Sequence, residues 1–278
     1  MTQNATMESA LALGMLQNDT QQALDIFVQQ TLNKASINAS VHVFQTQEAA
    51  LNAVAEGKIA VFACPLQSVP TTLPLGLVIT ALTERKAANN CLVAKHTEGV
   101  IFSEKENPKI LTLSSINCAQ MRYLQPNSAV VETKMSPNDG LELVRSGEYD
   151  TVVLGESSID KSRFSTDEWF IQTFSVREFI PLAGQGVACF ITAEDDLPTR
   201  RLLKSAHHPS VSVVTNIERT IQKLLKTHEV VAYCERDRMG NYHLWAAALV
   251  NNELRKTRVS QSTSFGMAEK AVEQLLSA

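Results

Sequence analysis

The chain has 278 residues, about two average domains, and its 44% hydrophobic content is ordinary for a globular protein with a sizeable core. The net charge of −4 argues against nucleic-acid binding, which usually requires a basic face. No apolar run approaches the roughly 20 residues that span a bilayer, and the first residues lack the basic segment of a signal peptide. We therefore predict a cytoplasmic protein that binds neither nucleic acid nor membrane.

The first half of the chain alternates between helical and extended patterns. DTQQALDIFVQQTLNKA predicts a helix and SVHVFQ a short strand. QEAALNAVAEG predicts a helix that ends near Gly57, followed by a strand over Ile59–Phe62. LGLVITALTE and NCLVAK predict two more strands. This alternation is typical of an α/β fold with a largely parallel sheet.

A second, similar series follows. KILTLSS and AVVETKM predict strands on either side of a short helix, CAQMRYLQP. Ser136 is a suitable N-cap with Pro137 in the first helical position and Asp139 three residues after the cap, and Gly147 ends that helix. The next strand, TVVLG, leads into Gly155 at a strand end, where α/β folds usually place ligand-binding groups.

The segment FIPLAGQGVACFI contains two glycines around Gln185, ahead of an apolar strand. Gly184 and Gly186 allow a sharp turn or a close backbone approach, so the pattern fits either a tight turn or a site. Farther on, NIERTIQKLLKTH predicts a helix, with His228 and Glu229 interpreted as its exposed end. EVVAYCE and YHLWAAALV predict strands joined by a hairpin turn at Gly240, and MAEKAVEQLLSA a terminal helix. These elements predict a small α+β domain.

The cysteines and histidines do not form a metal-ligand pattern. Five cysteines, an odd number without a Cys-x-x-Cys pair, indicate reduced thiols rather than a disulfide framework. His207 and His208 are adjacent, precede Pro209 and are typical of a loop. We therefore predict no metal site.

Several segments, in conserved order along the chain, resemble hydroxymethylbilane synthase, also called porphobilinogen deaminase. They are TMESALAL, IAVFACPLQSVP, LGLVITALTERKAANNCLVA, LTLSSINCAQMRYLQP, SGEYDTVVLGESS, FIPLAGQGVACFITAEDD and HHPSVSVVTNIERTI. No single segment is decisive, and their common order carries the resemblance.

The resemblance implies two periplasmic-binding-protein-like (type II) α/β lobes with a cleft between them and a small C-terminal α+β domain. The implied boundaries are residues 1–97 and 184–205 for the first lobe, 98–183 for the second and 209–278 for the C-terminal domain. The family joins porphobilinogen units, with release of ammonia, to a dipyrromethane primer bound to a cysteine. The resemblance also implies that Gln185 faces the cleft.

The chain departs from the family at the positions that carry this chemistry. The family's aspartate falls on Asn90, and an amide does not titrate. The Ser-Ser-Leu-Arg-Arg motif is Ser114-Ser115-Ile116-Asn117-Cys118, so both arginines are missing. Further arginine positions hold Met7 near the N-terminus and Gly140 and Lys134 ahead of SGEYD, and a basic position after that motif holds Lys161. Arginine forks suit the many carboxylates of a polypyrrole, and their loss should weaken its binding.

The primer attachment also differs. A Gly-Gly-Cys sequence should follow ERTIQKLLK, but the chain reads Thr227-His228-Glu229-Val230. Cys234 is near but lies in a predicted strand, and we favour a buried strand thiol over a displaced anchor. The long flap after the family's first strand is also missing. We therefore predict no dipyrromethane cofactor and no catalytic residue.

These observations predict a non-catalytic, pseudoenzyme-like relative with a ligand-binding or accessory role related to tetrapyrrole (porphyrin or haem) biosynthesis. The candidate partners are a small-molecule ligand in the cleft between the two lobes, for which a pyrrole-derived compound is one option, and another protein. The alternatives are an active deaminase with a rewired site and a small-molecule binding module unrelated to tetrapyrroles. The candidate ligand-binding residues are Ser114, Ser115, Asn117, Lys134, Lys161 and Gln185. A helix cap at the serines and solvated surface lysines remain the simpler alternatives.

Overall fold

A computed structural model describes residues 10–17, 22–96, 106–159 and 168–277. Its strands are β1 (Leu11–Leu16), β2 (Ala39–Phe44), β3 (Val61–Pro65), β4 (Leu77–Leu82), β5 (Asn90–Lys95), β6 (Lys109–Thr112), β7 (Ala129–Glu132), β8 (Thr151–Gly155), β9 (Trp169–Thr173), β10 (Ala188–Ala193), β11 (Val230–Arg236), β12 (Tyr242–Val250) and β13 (Glu253–Gln261). Its α-helices are α1 (Gln22–Lys34), α2 (Gln47–Ala55), α3 (Ser115–Leu124), α4 (Pro137–Arg145), α5 (Leu197–Leu202), α6 (Pro209–Leu224) and α7 (Met267–Ser277).

The chain divides into two compact units. The first contains Met1–Glu84 and Ala188–His208, and the second contains Arg85–Val187 and Pro209–Ala278. The chain therefore leaves the first unit after Glu84 and returns to it for one strand and the short helices that follow.

The first unit is built on a five-stranded sheet of order β2-β1-β3-β10-β4. The strands β2, β1 and β3 are parallel, and β10 runs antiparallel to its two neighbours, β3 and β4. Apolar side chains of the sheet pack with α1 into one core that includes Leu13, Phe27, Val28, Leu32, Val61 and Phe190.

The second unit contains a sheet with the corresponding order, β7-β6-β8-β5-β9. Here β7, β6 and β8 are parallel, and β5 runs antiparallel to β8 and β9. In both sheets, one strand runs against the other four. The cores on the two faces of this sheet include Val93, Leu111, Val152 and Trp169 on one side and Leu92, Ile110, Met121 and Phe179 on the other.

The second unit also contains a three-stranded antiparallel sheet with β12 in the middle. Successive strand side chains point to opposite faces. One face packs on α6 and α7 through residues such as Leu244, Ala246 and Ile221. On the other face, Val231, Trp245 and Ala247 form a core with Ile116 and Ile180. This second core explains why the three-stranded sheet and the β5–β9 sheet belong to one compact unit.

Short polar sequences begin the helices. The hydroxyl of Thr46 accepts a hydrogen bond from the backbone N–H of Ala49 at the start of α2. Ser136 and Asp139 form a reciprocal capping box at the start of α4, with Pro137 in its first turn. Such caps satisfy N–H groups that have no partner inside the helix. The predicted start of α4 is confirmed.

The predicted fold class, two α/β lobes of the type II periplasmic-binding-protein kind with a small C-terminal α+β domain, is confirmed.

Three strands, β1, β9 and β13, are absent from the predicted elements. β9 and β13 lie at sheet edges, where burial is low and the alternating pattern weak. α3 is also longer than predicted, and β3 lies two residues later than the predicted strand. Within the described residues, no helix is both long and apolar enough to cross a bilayer.

Candidate functional site

Two of the polar residues singled out from the sequence, Asn90 and Ser114, lie at the same edge of the sheet that contains β5 to β9. Asn90 begins β5 and pairs with Gly155, the last residue of the antiparallel strand β8. Ser114 follows the end of β6, which is parallel to β8. Asn90 and the start of α3 therefore lie at the carboxyl edge of β6 and β8, the edge at which α/β sheets usually bind ligands.

Asn90 is only 2% exposed, and its two side-chain polar atoms differ in their contacts. Oδ1 accepts a hydrogen bond from Gln185 Nε2 at 3.1 Å. Nδ2 is buried and has no hydrogen-bond partner among the described residues. Since buried polar groups are normally hydrogen-bonded, this amide is a donor available to a ligand or an ordered water.

Gln185 is also 2% exposed and is bonded at both ends of its amide. Nε2 donates to the backbone oxygen of Ala88 at 2.8 Å as well as to Asn90, and Oε1 accepts from the backbone N–H of Leu182 at 3.2 Å. This geometry gives Gln185 the role of positioning Asn90. Direct contact between Gln185 and a ligand stays a prediction.

The two glycines around Gln185 are required by this arrangement. Gly184 and Gly186 both have φ of +78°, in the left-handed region that favours glycine. A Cβ on Gly186 would lie 2.8 Å from the backbone oxygens of Lys86 and Ala87. The turn therefore brings its backbone against the segment that leads into β5.

A buried carboxylate fixes the same turn. Glu218 in α6 is fully buried and forms a two-pronged ion pair with Arg85, with both N–O distances at 2.8 Å. Its two oxygens also accept from the backbone N–H groups of Gly184 and Cys234, each at 2.8 Å. The carboxylate thus connects the Gly-Gln-Gly turn, the segment before β5 and strand β11.

Cys234 lies in β11 and is 1% exposed. Burial, with a smaller contribution from the Glu218 carboxylate, raises the pKa of its thiol to about 12. A thiol with such a pKa is a poor nucleophile at neutral pH. The absence of a primer on this residue stays a prediction.

The start of α3 is occupied by a carboxylate from the chain itself. Ser114 caps the helix by accepting from the backbone N–H of Asn117 at 3.4 Å. The backbone N–H of Ile116, in the first turn of the helix, donates to Glu229 Oε2 at 3.0 Å. Glu229 is exposed, as predicted, but it is not the end of a helix, because α6 ends at Leu224 and the Glu229 carboxylate accepts a hydrogen bond at the start of α3.

The other residues of this helix start have mixed environments. Ser114, Ser115 and Asn117 are half-buried, and Asn117 Oδ1 has no hydrogen-bond partner among the described residues. Cys118 is 3% exposed and lies in the core with Met121. The helix start therefore offers an acceptor at Asn117 but no arginine.

The two candidate lysines have different outcomes. Lys134 is exposed in the loop between β7 and α4, and its contact with a ligand stays a prediction. Lys161 lies outside the described residues, as does the arginine-equivalent Met7 near the N-terminus. In the part of the chain that the structure describes, no group of three or more His, Cys, Asp or Glu residues could hold a metal ion.

Two residues important at this edge, Glu229 and Arg85, were not candidates in the sequence analysis. Arg85 is separated from Glu218 by 133 positions, so no local pattern identifies the pair. Glu229 does have a signal in the sequence, because it lies in the stretch expected to hold the anchoring cysteine.

Comparison with known proteins identifies the family. The family model described as porphobilinogen deaminase, dipyromethane cofactor binding domain, matches residues 4–201, more than half of the chain. The chain therefore belongs to the porphobilinogen deaminase family, which is related to tetrapyrrole biosynthesis.

Two curated relatives show how far this similarity extends. The porphobilinogen deaminase of Chloroherpeton thalassium is 29% identical over 164 residues, 58% of this chain and 50% of the relative. That of Campylobacter lari is 28% identical over 161 residues, 58% of this chain and 52% of the relative. The matched part of the chain thus spans about half the length of these relatives.

Solved structures show a looser similarity. The VFT2 domain of Bordetella pertussis BvgS is 14% identical with a TM-score of 0.46, covering 78% of this chain and 92% of that domain. The reduced regulatory domain of OxyR2 from Vibrio vulnificus is 12% identical with a TM-score of 0.43, covering 74% and 96%. Neither similarity carries a statement about ligands.

Proposed function

We propose that this protein is a non-catalytic member of the porphobilinogen deaminase family with a ligand-binding or accessory role related to tetrapyrrole biosynthesis. The observation that carries the proposal is the hydrogen bond between the Glu229 carboxylate and the start of α3. The ligand would be smaller and less anionic than a polypyrrole and would carry a hydrogen-bond acceptor for Asn90.

The reasoning concerns where negative charge can bind. The backbone N–H groups at a helix start, together with the helix dipole, favour one anion. In this protein, Glu229 provides that anion from the stretch where the family resemblance places the primer cysteine. A polypyrrole carboxylate would have to displace Glu229, and the missing arginines would not compensate for the displacement.

Asn90 supports the same choice of ligand. Its free Nδ2 group can donate a hydrogen bond to a carbonyl or carboxylate oxygen. It cannot exchange a proton with a pyrrole during polymerisation, because an amide does not titrate in the neutral range. The position therefore suits recognition rather than acid–base catalysis.

The proposal is tested by incubating the purified protein with porphobilinogen and measuring its intact mass and the consumption of the substrate. We expect an unmodified mass and no consumption. A mass increase of two pyrrole rings, together with turnover, would overturn the proposal in favour of an active deaminase with a rewired site.

Binding is tested separately by thermal shift with porphobilinogen and with haem. We expect stabilisation by at least one of them, and about tenfold tighter binding of porphobilinogen by Glu229→Gln, because one repelling carboxylate is removed. Glu273→Gln, on the exposed face of α7, is the matched control and should leave binding unchanged. Stabilisation by neither compound would instead favour a binding module unrelated to tetrapyrroles.

A further inference from the structure

Three polar side chains are joined by hydrogen bonds at the three-stranded sheet of the second unit. His243 of β12 is directly opposite Ser260 of β13. His243 Nδ1 lies 2.9 Å from Ser260 Oγ, and His243 Nε2 lies 3.0 Å from Asp237 Oδ2 in the loop between β11 and β12. The candidate site at the edge of the β5–β9 sheet uses none of these residues.

The loop holds Asp237 in a fixed orientation. Its Oδ1 accepts from the backbone N–H groups of Met239 at 2.9 Å and Asn241 at 2.8 Å. The hydrogen bond from His243, with those from Asn241 and Met239, lowers the pKa of Asp237 to about 2. Asp237 is therefore ionised at neutral pH and acts only as an acceptor toward His243.

This acceptor determines the direction of the hydrogen bonds. Because Asp237 cannot donate, Nε2 carries the hydrogen whenever the His243 ring is neutral, and Nδ1 is then an acceptor. In that form of the ring, the Ser260 hydroxyl is the donor to Nδ1. A serine that donates to an imidazole oriented by a carboxylate is the arrangement that activates a hydroxyl nucleophile.

The surroundings leave the serine accessible. Ser260 is exposed, so a reagent can reach its hydroxyl. The Trp245 ring lies beside His243 with centroids 6.1 Å apart, and the Arg258 guanidinium lies 5.3 Å from the Trp245 centroid. Arg258 is two residues before Ser260 and on the same face of β13, where its charge favours negative charge developing on a substrate oxygen.

We propose that Ser260 is a nucleophile toward activated carboxylic esters, with His243 as its general base and Asp237 as a positioning residue. Ser260 Oγ forms a bond to the ester carbonyl carbon while its proton moves to His243 Nδ1. The bond between that carbon and the leaving alcohol oxygen then breaks, and the proton on Nδ1 passes to the leaving oxygen. The products are an acyl-serine and the free alcohol.

The test uses the full chain and p-nitrophenyl acetate at pH 7.5, followed by peptide mapping for the mass of one acetyl group. We expect Ser260 to be acetylated about a hundredfold faster than the exposed neighbour Ser262, which is the contribution typical of a positioned base. His243→Gln should remove this difference, and circular dichroism should verify that the variant is folded.

The outcomes separate a reactive serine from a purely structural hydrogen bond. Ser260→Ala should abolish the release of p-nitrophenol that accompanies acetylation at this residue, whereas Ser262→Ala should leave it unchanged. Equal acetylation of the two serines, or acetylation of Ser260 that persists in folded His243→Gln, would overturn the proposal. Neither result depends on whether porphobilinogen binds at Asn90.

Discussion

Replacing Glu218 by glutamine tests whether one buried carboxylate fixes the Gly-Gln-Gly turn. The carboxylate accepts four hydrogen bonds of 2.8 Å, two from Arg85 and one each from the backbone of Gly184 and Cys234. An amide would oppose some of these donors with its own N–H groups and leave Arg85 buried without a counter-charge. Removing one partner of a buried ion pair costs about 3–5 kcal/mol, a large part of the roughly 5–15 kcal/mol that stabilises a typical protein.

Urea unfolding at neutral pH, followed by circular dichroism, measures this loss. The matched control is Glu168→Gln, which removes a 2.8 Å bond to Arg145 between side chains that are 40% and 46% exposed. The control should lose less than about 1 kcal/mol, because solvent screens an exposed pair. Equal losses in the two variants, or a loss below about 1 kcal/mol in Glu218→Gln, would refute the reasoning.

Three further variants or treatments test the second and first units. Gly186→Ala should destabilise the protein in urea unfolding by about 1 kcal/mol more than the control Gly147→Ala. Both glycines have positive φ, but only a Cβ on Gly186 would contact backbone oxygens. Equal losses of stability in the two variants would contradict this reasoning. The Cys234 thiol, with its pKa of about 12, should not react with maleimide at pH 7.5 in the native protein but should react in urea. Peptide mapping measures the labelling. Labelling of Cys234 in the native protein would contradict the prediction, because it would show an accessible thiol. Burial raises the pKa of Asp25 to about 6, so ionisation destabilises the fold as pH rises from about 4 through 6. Asp25→Asn should therefore gain about 1 kcal/mol near pH 8, after allowance for partial exposure, and little near pH 4; a gain independent of pH would exclude this cause.

Local sequence signals predicted elements that are determined locally. The Ser136 cap and Pro137 correctly mark the start of α4, and Gly240 correctly marks the turn between β11 and β12. β13 could not be predicted in this way, because its sequence, ELRKTRVSQ, is mainly polar. Its stability depends on pairing with β12 rather than on its own apolar content.

The candidate site was predictable in position but not in its contacts. Strand ends and the family resemblance directed attention to Asn90 and Ser114, which do lie at the same sheet edge. The hydrogen bond from Ile116 to Glu229 joins residues 113 positions apart, and the partner of a carboxylate over such a distance depends on the packing of the whole unit. Sequence reasoning therefore identified the groups that are missing from the site more readily than the group that replaces them.

The position of β10 between β3 and β4 has a consequence for synthesis on the ribosome. Strands β1 to β4 emerge first. Strand β10, which pairs with both β3 and β4, follows only after about 100 further residues. The synthesis of these residues takes about 5–20 s at typical elongation rates. We expect a stalled nascent chain that ends shortly before β10 to be cut by protease within its first four strands. A nascent chain long enough for β10 and α5 to have left the ribosome should resist cleavage in these strands, because β10 can then pair with both β3 and β4.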